Sequence, residues 1–125
     1  MKKLIITLGF TLSLLTINAQ KINTFHNVIG HWNKTYERWD FDGGRDAKIT
    51  FELNGDYLIA NDDANSKYIM VSVLEEEDNF FSYEAIDERG RYCTIMIANN
   101  VNSVDKLAIM YHGDNAIMYE YWFFF

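Results

Sequence analysis

AKITFELNGDYLIAN, residues 47–61, reads as two short strands folded about a turn, and its reading decides the fold. Apolar and polar residues alternate before Asn54-Gly55, the period of a half-buried strand, and a short apolar run, Tyr57–Ala60, follows it. Two registers suit the segment. A two-residue turn at Asn54–Gly55 sets Phe51 opposite Leu58 and Ile49 opposite Ala60. A three-residue loop sets Phe51 opposite Tyr57 and Ile49 opposite Ile59. The second gathers the larger apolar residues on one face and leaves Lys48, Thr50 and Glu52 on the other, so it is the register expected here. Gly55 needs a positive φ in either.

The same texture continues on both sides of the hairpin. The chain has no proline, and after residue 30 no helical period appears. Eight candidate strands follow: 31–39, 47–53, 56–61, 67–75, 80–86, 91–98, 106–112 and 116–124. Between them stand turn-forming clusters such as DFDGGRD, DDANS, EEEDN, DERG and HGDN. Consecutive strands with short connections favour an all-β antiparallel up-and-down meander. Eight of them can close into a barrel and so remove both sheet edges. An open sandwich is the alternative. Upstream, Ile22, Phe25, Val28 and Ile29 are spaced for a short helical turn.

The first nineteen residues have a different character. MKK is a basic start, LIITLGFTLSLLTI an apolar run, and Ala19 a small residue before a cut. The run is shorter than the ~20 residues of a spanning helix. The pattern predicts a cleaved signal peptide at 1–19, one domain at 20–125, and export to a periplasm or the exterior. No cysteine stands near the cut, which argues against a lipid anchor. Of eleven basic residues, Lys2 and Lys3 leave with the leader, and nine then face eighteen acidic ones. So acidic a chain, with no basic run, repels phosphate backbones and excludes nucleic acid as a partner. Cys93 is the only cysteine, so no internal disulfide forms, and it reads as a buried strand residue.

In a meander, alternate loops share an end. Connections 40–46, 62–66, 87–90 and 112–115 then form a mouth rich in Asp and Glu, and 54–55, 75–79 and 99–105 form a base. That arrangement puts Trp32 at the base, as a plug roofed by residues 22–29. Gly30-His31-Trp32 opening a strand, followed by ITFELNGDYLI as a hairpin, resembles the small bacterial lipocalin-like β-barrel proteins. The resemblance implies a lipocalin-like barrel with Trp32 in the base-packing role. The chain departs from the broader pattern: it has no arginine near the C-terminus to cover Trp32, no helix after the last strand and no disulfide.

Chemistry is sparse. Asp40, Asp42 and Asp46 lie close in DFDGGRD, but Gly44 replaces a calcium ligand, and Phe51 stands where the loop's closing Glu belongs. His26, His31 and His112 lack zinc spacing, and Ser66, Ser72, Ser82 and Ser103 lack a nucleophile elbow. No enzyme, cofactor or metal is expected. The expected function is a non-enzymatic binding protein holding a small neutral or cationic ligand in a narrow cavity. Period-two alternation turns Phe51 with Tyr57, Phe81 with Tyr83, and Tyr119 with Tyr121 inward. So many rings leave little room in an eight-stranded barrel. Tyr57, Tyr83 and Tyr119 are the expected ligand-binding residues. The alternative partner is another protein, engaged by an exported inhibitor or immunity-type module. A small outer-membrane barrel ranks last, because spanning strands need ~9–11 residues and most of these are shorter.

Overall fold

A computed structural model of the protein describes residues 20–62, 65–101, 104–113 and 115–124. The leader expected at 1–19, and Asp63, Ser103 and Asp114, lie outside the described residues. Nine strands form one sheet: β1 (Gln20–Asn33), β2 (Arg38–Phe41), β3 (Arg45–Asn54), β4 (Tyr57–Ala60), β5 (Lys67–Glu77), β6 (Phe80–Asp87), β7 (Tyr92–Val101), β8 (Val104–Tyr111) and β9 (Ile117–Phe123). Eight of them follow in order from β1 through β3 to β9, every neighbouring pair antiparallel, and β1 pairs with β9 to close the barrel. β2 is an extra strand on β1. The eight-stranded antiparallel meander expected from the turn spacing is the fold.

Its first strand is not the one expected. β1 is fourteen residues long and includes 22–29, which form strand rather than a helical turn. A bulge between Thr24 and His26 is the cause. Ile22 and Thr24 face inward, the bulge inserts one residue, and Asn27 and Ile29 take up the inward face beyond it. Two strand phases joined by one extra residue imitate a 3–4 spacing. The expected strand 31–39 is in fact the end of β1, a turn at 34–37, and the start of β2. Asn33 makes that turn: its Oδ1 accepts from the backbone N–H of Thr35 at 3.0 Å and of Tyr36 at 3.1 Å.

The hairpin register also differs from both readings. Leu53 lies opposite Leu58 and Phe51 opposite Ala60, about a turn at Gly55–Asp56. Gly55 has φ +64° and Asp56 has no positive φ, as in a turn that needs glycine at its first central position. This register sets the large Phe51 against the small Ala60 inside the barrel, with Tyr121 edge-on to Phe51 at 4.8 Å. It turns Tyr57 outward.

The core fills the base and middle of the barrel. Ile22, Phe51, Leu58, Ile95, Ile97, Leu107, Ile109 and Phe123 form one buried cluster, closed by Ala60, Ala85 and Cys93. Trp32 belongs to the other end, because β1 runs from base to mouth. Its N–H donates to the Ala116 carbonyl at 3.1 Å, beside the β8–β9 connection. There it meets Trp39 of β2 edge-on at 5.5 Å. The base-packing role expected of Trp32 falls to Ile22, Phe51 and Phe123 instead. Gly30 has its own reason to be glycine: a Cβ there would stand 2.7 Å from the Phe41 ring, which lies across it.

Candidate functional site

The described parts of three connections meet at the mouth: 61–62 and 65–66 between β4 and β5, 88–91 between β6 and β7, and 112–113 and 115–116 between β8 and β9. Below them the inward faces of β5, β8 and β9 turn from aliphatic to aromatic. Leu107 and Ile109 are followed two residues on by Tyr111, and Tyr121 and Tyr119 stand on the neighbouring strand. Tyr68 enters from β5, in the same buried cluster. A cleft of about 410 Å³ opens here, walled by Tyr68, Tyr111 and Tyr119 and rimmed by Ser66, Lys67, Asp87, Glu88, Arg89 and Arg91. A smaller hollow of about 210 Å³ continues past Arg91 to Tyr121 and Asp62.

Asp87, at the end of β6, is the post that holds this wall. Its Oδ1 accepts the backbone N–H groups of Arg89 and Arg91, both at 2.9 Å. Its Oδ2 accepts the Arg91 Nε–H at 2.9 Å and the Tyr111 hydroxyl at 2.8 Å. Burial by itself would raise this carboxyl, whose side chain is 8% exposed. The donors from Arg91, Tyr111 and Arg89 more than offset it and hold Asp87 below its ordinary value. A carboxylate offers about four acceptor positions. All are taken, so Asp87 orients its neighbours. The Arg91 guanidinium lies 4.8 Å over the Tyr111 ring, and Tyr111 meets Tyr119 edge-on at 6.4 Å.

The hydroxyls of Tyr68, Tyr111 and Tyr121 are kept protonated. Burial pushes Tyr121 up to about 12, helped by the charge of Asp62. Burial likewise raises Tyr68, and burial with the bond to Asp87 raises Tyr111. At neutral pH the wall presents neutral donor–acceptor groups. Asp62 is engaged by Ser66, whose N–H and Oγ–H donate to it at 3.0 and 2.9 Å.

Of the three tyrosines expected to bind ligand, Tyr119 lines this cleft. Tyr83 lies at the opposite end, in an apolar slot, where burial lifts its hydroxyl to about 12. Tyr57 is on the outer wall, 40% exposed, with Lys67 Nζ 4.3 Å over its ring. The structure does not bring these three together. Sequence reasoning missed Tyr68, Tyr111 and Arg91, and it placed Asp87 at the mouth only as one acid among several. The alternation Leu107, Ile109, Tyr111 carried a signal for Tyr111, and Tyr68 precedes Met70 in the same phase. Nothing local marks the Asp87–Arg91 pair.

The other polar groups singled out in the sequence serve local structure. Asp42 Oδ1 accepts the N–H groups of Ile29 and Gly44, both at 3.0 Å, and pins β1 to the break before β3. The bond from Ile29 chiefly holds its carboxyl low. Asp40 binds Asn33 and Arg38, and Asp46 binds His26 Nδ1 at 3.1 Å. Among the described residues no three His, Cys, Asp or Glu groups come together as metal ligands. His112 is bonded to Thr94 at 2.6 Å. Cys93 is 1% exposed, and burial pushes its thiol up to about 11, which leaves it unreactive.

No family model, curated protein or solved structure matches the chain. The likeness to lipocalin-like barrels stands on its two short motifs, and Gly30 and Trp32 of the first have local duties at the mouth end.

Proposed function

We propose that the protein is an exported, non-enzymatic binding protein that holds a small, neutral, ring-bearing ligand in the tyrosine-walled cleft. The observation that carries this reading is the convergence of Tyr68, Tyr111, Tyr119 and Tyr121 at the one end where the aliphatic core stops. The cleft volume lies within the ~300–1,000 Å³ of small-molecule sites. Aromatic faces suit stacking on a ring, and protonated hydroxyls with Ser66 suit its polar substituents. The cleft's charge is balanced: Asp62, Asp87 and Glu88 face Lys67, Arg89 and Arg91. That balance narrows the sequence's expectation of a neutral or cationic ligand to a neutral one.

The outer wall supports a barrel standing in water. Lys21, Lys48 and Lys67 are exposed on it, and Lys106 pairs with Glu120 at 3.2 Å, while the apolar cluster is inside. A lipid-facing wall has the reverse arrangement. Export rests on the leader at residues 1–19, and intact mass of the secreted form tests it: a chain beginning at Gln20 is expected.

Titration with neutral aromatic glycosides and their cationic and anionic analogues, followed by tyrosine and tryptophan fluorescence, tests the binding reading. Saturable binding of neutral compounds, weakened about tenfold or more by Tyr119→Ala and unchanged by Tyr83→Phe, is expected. Equal loss in both variants, or a preference for anions, contradicts it.

A further inference from the structure

The opposite end of the barrel has a feature that the mouth does not use. β4 has four residues and β5 eleven, so they pair only between Tyr57–Ile59 and Lys67–Ile69. The last bond between the two segments runs from the Met70 N–H to the Asp56 carbonyl at 2.7 Å. Beyond it, Ser72, Val73 and Glu75–Glu77 pair with β6 alone among the described residues, and Val71 and Leu74 stand at the two register shifts between them. We propose that this edge of β5 accepts an extended segment of a partner protein, basic at its N-terminal end, as an added antiparallel strand.

Three observations converge on it. The side chains along the edge are apolar and in solvent: Val71 is 47% exposed, Val73 58% and Leu74 54%. Beside them runs a slot of about 260 Å³, with Leu53, Met70, Phe81, Tyr83 and Ile97 in its lining and Asp56 on its far rim. A side chain of an added strand has somewhere to go, which a flat edge does not offer. Charge then selects the partner. Glu75, Glu76, Glu77 and Asp78 follow the apolar run, all exposed, and no basic residue lines the slot. An antiparallel strand meets Glu77 first and Val71 last, so its early residues are the cationic ones and its later ones apolar.

A second copy of the chain fits poorly. Pairing two β5 edges antiparallel about Leu74 sets Val71 against Glu77 and Val73 against Glu75, with six glutamates in one ladder and no cation to offset them. Bulges and charges are also how proteins blunt an edge, and β5 has irregularities after Met70 and Val73. The blunting is incomplete here. Acids guard the end of the strand, but the open residues before them are Val71, Ser72, Val73 and Leu74, uncharged where a guarded edge carries Lys or Glu.

The test uses a fluorescent amidated heptapeptide with three N-terminal lysines followed by alternating valine and threonine, titrated into protein purified after expression of the full chain. Saturable binding that weakens as salt rises is expected, with slowed amide exchange confined to Val71–Glu77. The variant Glu75→Lys/Glu77→Lys, altered only at exposed positions, should lose about tenfold in affinity and keep its unfolding midpoint. Three results overturn the proposal: no saturation, slowed exchange elsewhere on the barrel, or binding untouched by the charge reversal. Protection, before peptide is added, of those amides in Val71–Glu77 that do not bond to β6 also overturns it. If that protection rises with protein concentration the occupant is a second copy, and if it does not the chain covers its own edge.

Discussion

Gly30 shows how one residue joins sequence to shape. The Phe41 ring crosses it at a distance no Cβ tolerates, so the contact fastens β2 to β1 and sets the arm that carries Trp32 and Trp39. Gly30→Ala should cost about 1 kcal/mol or less in a urea unfolding experiment, because the half-exposed Phe41 ring can swing aside, and less still when Phe41 is also alanine. Asp87 is the corresponding residue at the site. Asp87→Asn leaves the shape but removes the charge behind four hydrogen bonds, and a loss of about 1–3 kcal/mol is expected at neutral pH. The pH dependence has a definite sign. The folded Asp87 carboxyl is held below the 3.8 of the unfolded chain, so its stabilisation is present above that pH and is lost as pH falls through the folded value. Tyr68, Tyr111 and Tyr121 are raised above the ordinary 10.0, so their contribution is whole below that pH and is lost as pH rises through their folded values. The unfolding midpoint should therefore drop on both flanks, below about pH 4 and above about pH 10, and Asp87→Asn should flatten the acid limb.

At the scale of elements, the strands from β3 to β9 were legible because alternation and turn residues mark them, each to within a few positions. β1 was not. Its bulge shifts the phase at Phe25, and the expelled ring stacks on Phe124 at 4.9 Å, a contact between distant segments that no local period encodes. The turn at 34–37 contains neither glycine nor proline, and only Asn33 announces it. The β3–β4 hairpin shows the limit of register reasoning. Gly55 was rightly tied to a positive φ, but the choice of partners depended on Phe51 needing Ala60 opposite it and Tyr121 against its ring. Gly55→Ala should lower stability by about 1 kcal/mol, because the turn keeps φ at +64° and space is not the constraint. A midpoint equal to that of the parent would mean the turn relaxes freely. The site was half legible for the same reason. Tyr119 and Tyr121 follow from alternation within one strand, whereas Tyr57 was lost to the register and Tyr68 and Tyr111 join only when the sheet closes.

For the whole molecule, closure is what makes a cleft. β9 pairs with β8 along one side and with β1 along the other, and its inner face brings Tyr119 and Tyr121 to the mouth while Phe123 fills the base. Deleting residues 119–125 should abolish the cooperative unfolding transition and the cleft with it. A truncated chain that still unfolds in one sharp step would mean that the sheet is stable when open. The tyrosine wall is polar and ringed where the slot at the other end is apolar, so a neutral ring-bearing ligand belongs at the mouth. The decisive measurement is native mass spectrometry of the protein purified from its own host, compared with the Tyr68→Ala/Tyr119→Ala variant prepared in the same way. A small neutral mass carried in one-to-one amount by the parent and absent from the folded variant is the predicted result. A parent that carries no such mass, or a variant that retains it, would contradict a ligand held by the tyrosine wall.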